Sequence, residues 1–275
     1  MICQSAWFSE NGETRVNLLD TIVAATRMAI AERQVRVPER VLEREALKRE
    51  PNGTRFEAAV ANPDDLNVIA ECKRRSPLKG VLRNDYDVSS LAKDYERAGA
   101  AAISVLTESA FFDGCLDHLR LAREAVTLPL LRKDFVVSDY QLLEARAAGA
   151  DAVLLIVAAV NPQTLTQLIA TAGDAALAVI VEVHNEEELG TAVDAGARII
   201  GVNNRNLKTL EVDVETSERL IQKIPKNVIA IAESGLQTQD DLLNLSTAGY
   251  HGFLIGEALV GSPNPRKTLE AMLAH

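Results

Sequence analysis

The sequence predicts an α/β protein, a (β/α)8 barrel over residues 63–275 with a helical N-terminal extension over residues 1–62 packed on it. Three observations predict it. Eight short apolar runs of strand length recur from Val68 onward. Stretches with helical periodicity separate them, an alternation that implies parallel strands joined by crossover helices. A punctuation mark also recurs about every fifty residues, or two strand–helix units: Ala98-Gly99-Ala100, Ala148-Gly149-Ala150, Ala195-Gly196-Ala197 and Ala248-Gly249-Tyr250. Each closes a helical stretch just before an apolar run, where glycine suits the left-handed residue that ends a helix. Eight such units in about two hundred residues fit a closed barrel. An open, doubly wound sheet is the other arrangement for this alternation, but no Gly-rich dinucleotide fingerprint follows the first run.

The elements follow in order. Residues 1–13 are polar and mixed, with little to order them. Asn17–Ala25 opens a helical pattern that runs to about Gln34, and Pro38 starts a second helix that runs to about Lys48. Pro51-Asn52-Gly53 is a turn, and Phe56–Ala61 adds a helical turn before Pro63. The strands are expected at Val68–Cys72, Ala101–Leu106, Leu128–Leu131, Ala152–Val157, Leu177–Val183, Ile199–Val202, Val228–Ala232 and His251–Ile255.

Composition narrows the function classes. The chain has 275 residues, 47% hydrophobic and 25% charged, as in ordinary globular proteins. Its net charge of -10, from 29 basic and 39 acidic residues, argues against a nucleic-acid or anionic-membrane surface. An anionic ligand therefore needs a local basic or amide-lined site. Cys3, Cys72 and Cys115 lack metal-ligand spacing, and His118, His184, His251 and His275 are scattered, so no metal is expected. Reduced thiols in the cytoplasm are the default for such a set. The N-terminus lacks the basic and apolar regions of a signal peptide, and Ala152–Val160 is about half the length of a membrane span.

In a barrel of this kind, side chains at the carboxyl ends of the strands build the active site. The first strand runs from apolar residues into Glu71-Cys72-Lys73-Arg74-Arg75-Ser76-Pro77, with Glu71 and Lys73 on one face. Alone, that pair also reads as a structural ion pair closing a sheet. The later ends repeat the pattern. Lys133 shares a face with Leu131 and Phe135, Glu182 with Ile180, and Glu233 with Ile231, while Asn203 ends the sixth strand. Two lysines, three glutamates and an asparagine at one opening repeat a desolvation cost that structure alone does not explain. Cys72 faces the other way, and His184 is read as structural because its parity turns it from the lumen. Phe112 and Phe135 read first as core, with a ligand contact as the lesser alternative. Ser234-Gly235 and Gly256-Glu257 follow strands seven and eight, where barrels often hold a phosphate on backbone N–H groups and a short helix, here Glu257–Val260. The other reading of these glycines is ordinary turns.

Seven of these segments, taken together, resemble indole-3-glycerol-phosphate synthase: Ile69–Pro77, Ile103–Glu108, Leu131–Phe135, Val181–His184, Ile200–Leu207, Ala232–Gly235 and Phe253–Glu257. They stand in the right order from about Phe56 to Val260. Members of that family are TIM barrels with a helical N-terminal extension. The sequence departs from the family at Cys72, where a larger apolar or aromatic residue is usual, and at Leu78, where a small polar one is common. The resemblance implies ring closure of 1-(2-carboxyphenylamino)-1-deoxyribulose 5-phosphate with loss of carbon dioxide and water, in tryptophan biosynthesis and without a cofactor. It implies Lys133 as the acid at the ketone oxygen, Glu182 as the base, and Lys73 or Lys133 as the acid for the leaving hydroxyl. Glu71, Asn203 and Glu233 orient hydroxyls and lysines. Ser76, Pro77, Phe112, Phe135 and Arg205 bind substrate; Ser234, Gly235, Gly256 and Glu257 hold its phosphate. The expected partner is that small phosphorylated molecule, with transient contact to other tryptophan-pathway enzymes left open and no second catalytic domain after Val260.

Two other readings remain. Another sugar-phosphate barrel, an isomerase or epimerase, would need a metal, paired aspartates or an acid–base Cys at the lumen, whereas this set is rich in Lys and Glu. A non-catalytic binding barrel has no reason to keep so many ionisable strand ends.

Overall fold

The computed structural model describes residues 17–207 and 209–274; the opening polar stretch 1–13 and Cys3 lie outside the described residues. Eight parallel strands close into a barrel: β1 Asn67–Cys72, β2 Ala102–Leu106, β3 Leu130–Lys133, β4 Ala152–Ile156, β5 Ala178–Val183, β6 Ile199–Asn203, β7 Ile229–Glu233 and β8 Gly252–Ile255. They pair in sequence order, and β8 returns to β1 with Ile69 opposite Leu254. The third strand starts two residues later than its apolar run. Pro129 has no N–H to give a ladder, so it supplies only a carbonyl to Ile103, and the strand continues instead through Arg132 and Lys133.

Strand parity divides the core in two. Val68, Ala70, Cys72, Val105, Val153, Leu155, Val181, Val202 and Ala232 face the surrounding helices. Ile69, Leu131, Leu154, Ile180, Ile199, Ile231 and Leu254 fill the lumen. Cys72 is thus buried on the outer side, where desolvation pushes its thiol well above the usual range. The repeated glycines turn each helix into the next strand, with φ of 91° at Gly99, 92° at Gly149, 82° at Gly196 and 117° at Gly249.

Three helices precede the barrel: α1 Leu18–Arg36, α2 Glu39–Ala46 and α3 Gly53–Val60. They do more than flank it. Fully buried Phe56 and Val60 on α3 join the lumen cluster from the N-terminal side of the strands. Gly53 brings α3 so close that a β-carbon there would lie 2.5 Å from the Ala178 amide nitrogen, at the start of β5. Asn52 caps the helix by accepting from the Arg55 N–H at 2.9 Å. At the other end, Leu18, Leu19 and Ile22 of α1 pack beside Pro77, Phe112 and Phe135. An ion-pair chain ties α1 to β3: Arg33 to Glu144 at 2.6 Å, Glu144 to Arg132 at 3.2 Å and Arg132 to Asp134 at 2.8 Å. The helices that alternate with the strands are α4 Val88–Arg97, α5 Leu116–Ala125, α6 Asp139–Ala148, α7 Pro162–Asp174, α8 Glu186–Asp194, α9 Glu215–Ile221 and α10 Gln239–Ala248; α11 Glu257–Val260 and α12 Pro265–Met272 follow β8. No helix among the described residues is long and apolar enough to cross a membrane.

Candidate active site

The carboxyl ends of the strands open into one cavity of about 580 Å³, within the range of small-molecule sites. Glu71, Lys73, Lys133, Glu182, Asn203 and Glu233 all line it. Each continues the lumen face of its strand, so the alternation that packs Ile69, Leu131, Ile180 and Ile231 below also lifts these groups into the mouth.

Their contacts form two groups that face one cavity, and the charge of Glu71 in the first acts on Lys133 in the second. Lys73 Nζ lies 2.6 Å from Glu71 Oε1. Lys133 Nζ donates to Glu182 Oε2 at 3.0 Å and stands 3.7 Å from Glu233 Oε2. Asn203 Nδ2 donates to Glu182 Oε1 at 3.1 Å. Two glycines make room for the carboxylates. A β-carbon on Gly201 would fall 2.1 Å from Glu233 Oε1, and one on Gly256 would fall 2.1 Å from Glu71 Oε1. Gly256 therefore serves the Glu71 side chain as well as any approach of backbone to ligand.

Charge is unevenly shared. Burial works against the Lys133 cation, but the charges of Glu182, Glu233 and Glu71 outweigh it and hold the ammonium above the ordinary lysine range. Burial likewise opposes ionisation of Glu182, yet Lys133, His184 and Asn203 keep it well below the usual carboxylate range. Glu233 goes the other way. Burial and the charge of Glu182 push it up, with Lys133 offsetting only part, so it holds its proton more tightly than a free glutamate. Two carboxylates pushed in opposite directions around one lysine are the arrangement from which acid and base roles arise.

The rim carries the remaining residues. Ser234, Gly235, Gly256 and Glu257 line the same cavity. Ser234 and Gly235 are both left-handed, with φ of 66° and 85°, and α11 begins at Glu257 with Gly256 as its cap. The Glu257 carboxylate lies 3.2 Å from Arg205 Nη2 and 3.3 Å from Lys79 Nζ, joining three loops over the mouth. The Phe112 and Phe135 rings stand 6.1 Å apart and line both the main cavity and a smaller apolar annex with Ser76, Pro77, Leu18, Leu19 and Ile22. Ser76 Oγ accepts from the Lys79 N–H at 3.2 Å, holding the turn after β1.

One expectation is corrected. His184 is not turned away from the site: its Nε2 lies 3.3 Å from Glu182 Oε1 and its Nδ1 3.0 Å from Glu188 Oε2. Residues 180, 182 and 184 alternate onto one face, so parity carries His184 to the side of Ile180 and Glu182, and the expectation had it reversed. Three other features escaped the strand-end rule. Lys79 lies in a loop, and α1 reaches the annex from outside the barrel. Glu108, two residues beyond β2, turns into its own loop and accepts the N–H groups of Ala110, Phe111 and Phe112 at 2.9, 2.8 and 3.1 Å, setting the Phe112 backbone.

The comparisons with known proteins show the family. The family model for indole-3-glycerol phosphate synthase matches residues 19–272. The chain belongs to the indole-3-glycerol phosphate synthase family. Its similarity extends to individual members. It is 46% identical to indole-3-glycerol phosphate synthase 1 of Streptomyces coelicolor, over 94% of this chain and 96% of that protein. It is 42% identical to the indole-3-glycerol phosphate synthase of Rhodopirellula baltica, over 94% of this chain and all of that protein (100%). Among solved structures, thiamine phosphate pyrophosphorylase from Pyrococcus furiosus superposes with a TM-score of 0.56 at 19% identity, covering 76% of this chain and 95% of that one, a likeness of fold alone. The helical α1–α3 extension and the lysine–glutamate mouth thus belong to a barrel of the indole-3-glycerol phosphate synthase family.

Proposed function

We propose that this chain converts 1-(2-carboxyphenylamino)-1-deoxyribulose 5-phosphate to indole-3-glycerol phosphate, with Lys133 and Glu182 at the reacting atoms. The carrying observation is Lys133, a cation held between Glu182 and Glu233 on the floor of a cavity whose rim has glycine-rich loops suited to phosphate. A ring carbon must attack the ketone, and the oxygen then gathers negative charge. Lys133 Nζ gives that oxygen its proton, and its charge stabilises the developing alkoxide beforehand. Return of the ring to aromaticity expels the carboxylate as carbon dioxide. Lys73 or Lys133 protonates the departing hydroxyl, which leaves as water, and Glu182 takes one proton from the methylene carbon beside the nitrogen, which closes the indole double bond.

Binding supports the same assignment. The turns at Ser234-Gly235 and Gly256-Glu257 offer backbone N–H groups to the phosphate, with Arg205 and Lys79 nearby as cations in a chain of net charge -10. Phe112, Phe135 and Pro77 flank the aromatic ring, which must fold over the sugar chain before attack. Glu71, Asn203 and Glu233 orient the lysines and sugar hydroxyls. We place the reaction in the cytoplasm, on the free thiols of Cys72 and Cys115, and assign no nucleic-acid partner, on the acidic balance. Contact with other tryptophan-pathway enzymes would be transient. The test adds the arylamino-ribulose phosphate to the purified protein and follows indole absorbance and fluorescence. A rise that depends on the protein is expected; a flat trace with folded protein contradicts the proposal.

A further inference from the structure

His184 stands one residue beyond β5, and its ring is fixed from one side. Glu188, in the first turn of α8, accepts the His184 backbone N–H at 2.8 Å and lies 3.0 Å from Nδ1. Asn185 Nδ2 steadies the same carboxylate at 2.7 Å. With Nδ1–H directed to Glu188, Nε2 is left facing the site, 3.3 Å from Glu182 Oε1 and without an aligned hydrogen bond. A neutral ring would set a bare nitrogen lone pair against a buried carboxylate oxygen. Two acceptors at that distance require a proton between them. The other groups facing Glu182 are Lys133 from β3, Asn203 from β6 and Glu233 from β7, with Glu71 of β1 acting on the same lysine; those facing His184 are Glu182 and Glu188.

We propose that His184, oriented by Glu188, is a positioning residue that keeps Glu182 ionised and aimed at the substrate as an imidazolium. This rests on the reading of Lys133 as acid and Glu182 as base. The gain is clear in charge terms. When Lys133 gives up its proton it becomes neutral, and Glu182 would be left a buried, unpaired anion beside Glu233, which is costly. The imidazolium remains as its counter-charge, so the proton moves to the substrate oxygen rather than to Glu182. Burial opposes the His184 cation, but its two carboxylate partners raise it to about 9, which agrees with this geometry.

Nitrogen NMR of histidine-labelled protein tests the charge, with the His184 signal assigned by its loss in His184→Gln. Both ring nitrogens should carry protons at about pH 8, where an ordinary histidine is neutral. Kinetics test the role. His184→Gln should lower kcat about tenfold or more with KM changed less than about threefold, and move the acid limb of the kcat profile up by about one pH unit, because Glu182 loses a cation. Glu188→Gln weakens the imidazolium and should move the alkaline limb to lower pH. A neutral His184 at about pH 8, or profiles of both variants superimposable on wild type, overturns the proposal while the site assignment stands. If His184→Gln does not fold, His184→Asn supplies the assignment of the wild-type spectrum and Glu188→Gln the profile. Wild-type protein that forms no indole product overturns the site reading itself, and this proposal with it.

Discussion

Lys133 and Glu182 hold each other's charge, and most of what can be tested at single positions follows from that pair. Lys133→Ala removes the proposed proton donor and leaves the side chains of Glu182 and Glu233 facing each other without the lysine between them. Turnover should fall by roughly two or more orders of magnitude while the circular dichroism spectrum is unchanged; a near-normal rate would take Lys133 out of its role. Glu182→Gln keeps the shape and removes the proposed base, and a comparable loss of kcat is expected, with an unchanged rate pointing to Glu71 or Glu233 instead. Both residues were legible in the sequence because they continue the alternation of their strands, so Leu131 and Ile180 announce which way they point. His184 shares the parity of Ile180 and Glu182, so its direction was legible too, although the expectation reversed it. The place of Glu108 was not: it lies past the last residue of β2, where hydrogen bonds to its own loop, rather than strand parity, set the side chain.

Elements act through close approach. On β6, Gly201 leaves the space that Glu233 Oε1 occupies, and Gly201→Ala would push that carboxylate off its line to Lys133. A loss of turnover larger than any loss of stability is expected, read by comparing kcat with the urea midpoint. On α3, Phe56 is fully buried against the lumen residues, far along the barrel from the mouth. Phe56→Ala should cost about 3–5 kcal/mol in urea unfolding and leave kcat of the remaining folded protein near wild type. The helices and their glycine ends could be read from periodicity. That α1 reaches the apolar annex and α3 closes the opposite end could not, because both are long-range contacts with no local signature beyond an amphipathic stretch.

Over the whole molecule, the site network makes stability depend on pH. Glu182 sits below its unfolded value, so its contribution is present above the ordinary glutamate range and fades only in acid. His184 sits above its unfolded value, so its contribution is complete below about pH 6.5 and is lost as pH rises through about 9. Glu233, also raised, loses its contribution in the same direction. The urea midpoint should therefore drop between neutral and alkaline pH, and the drop should shrink in His184→Gln; parallel curves for the two proteins would contradict this. All of these expectations require one mouth that binds a phosphorylated aryl sugar in a single pose. The measurement that meets that requirement head-on is a structure of the protein with indole-3-glycerol phosphate bound. The phosphate is predicted between Ser234-Gly235 and Gly256-Glu257, the indole between Phe112 and Phe135, and Lys133 against the carbon skeleton; a ligand bound elsewhere, or with its phosphate on the Lys133 side, would contradict the account.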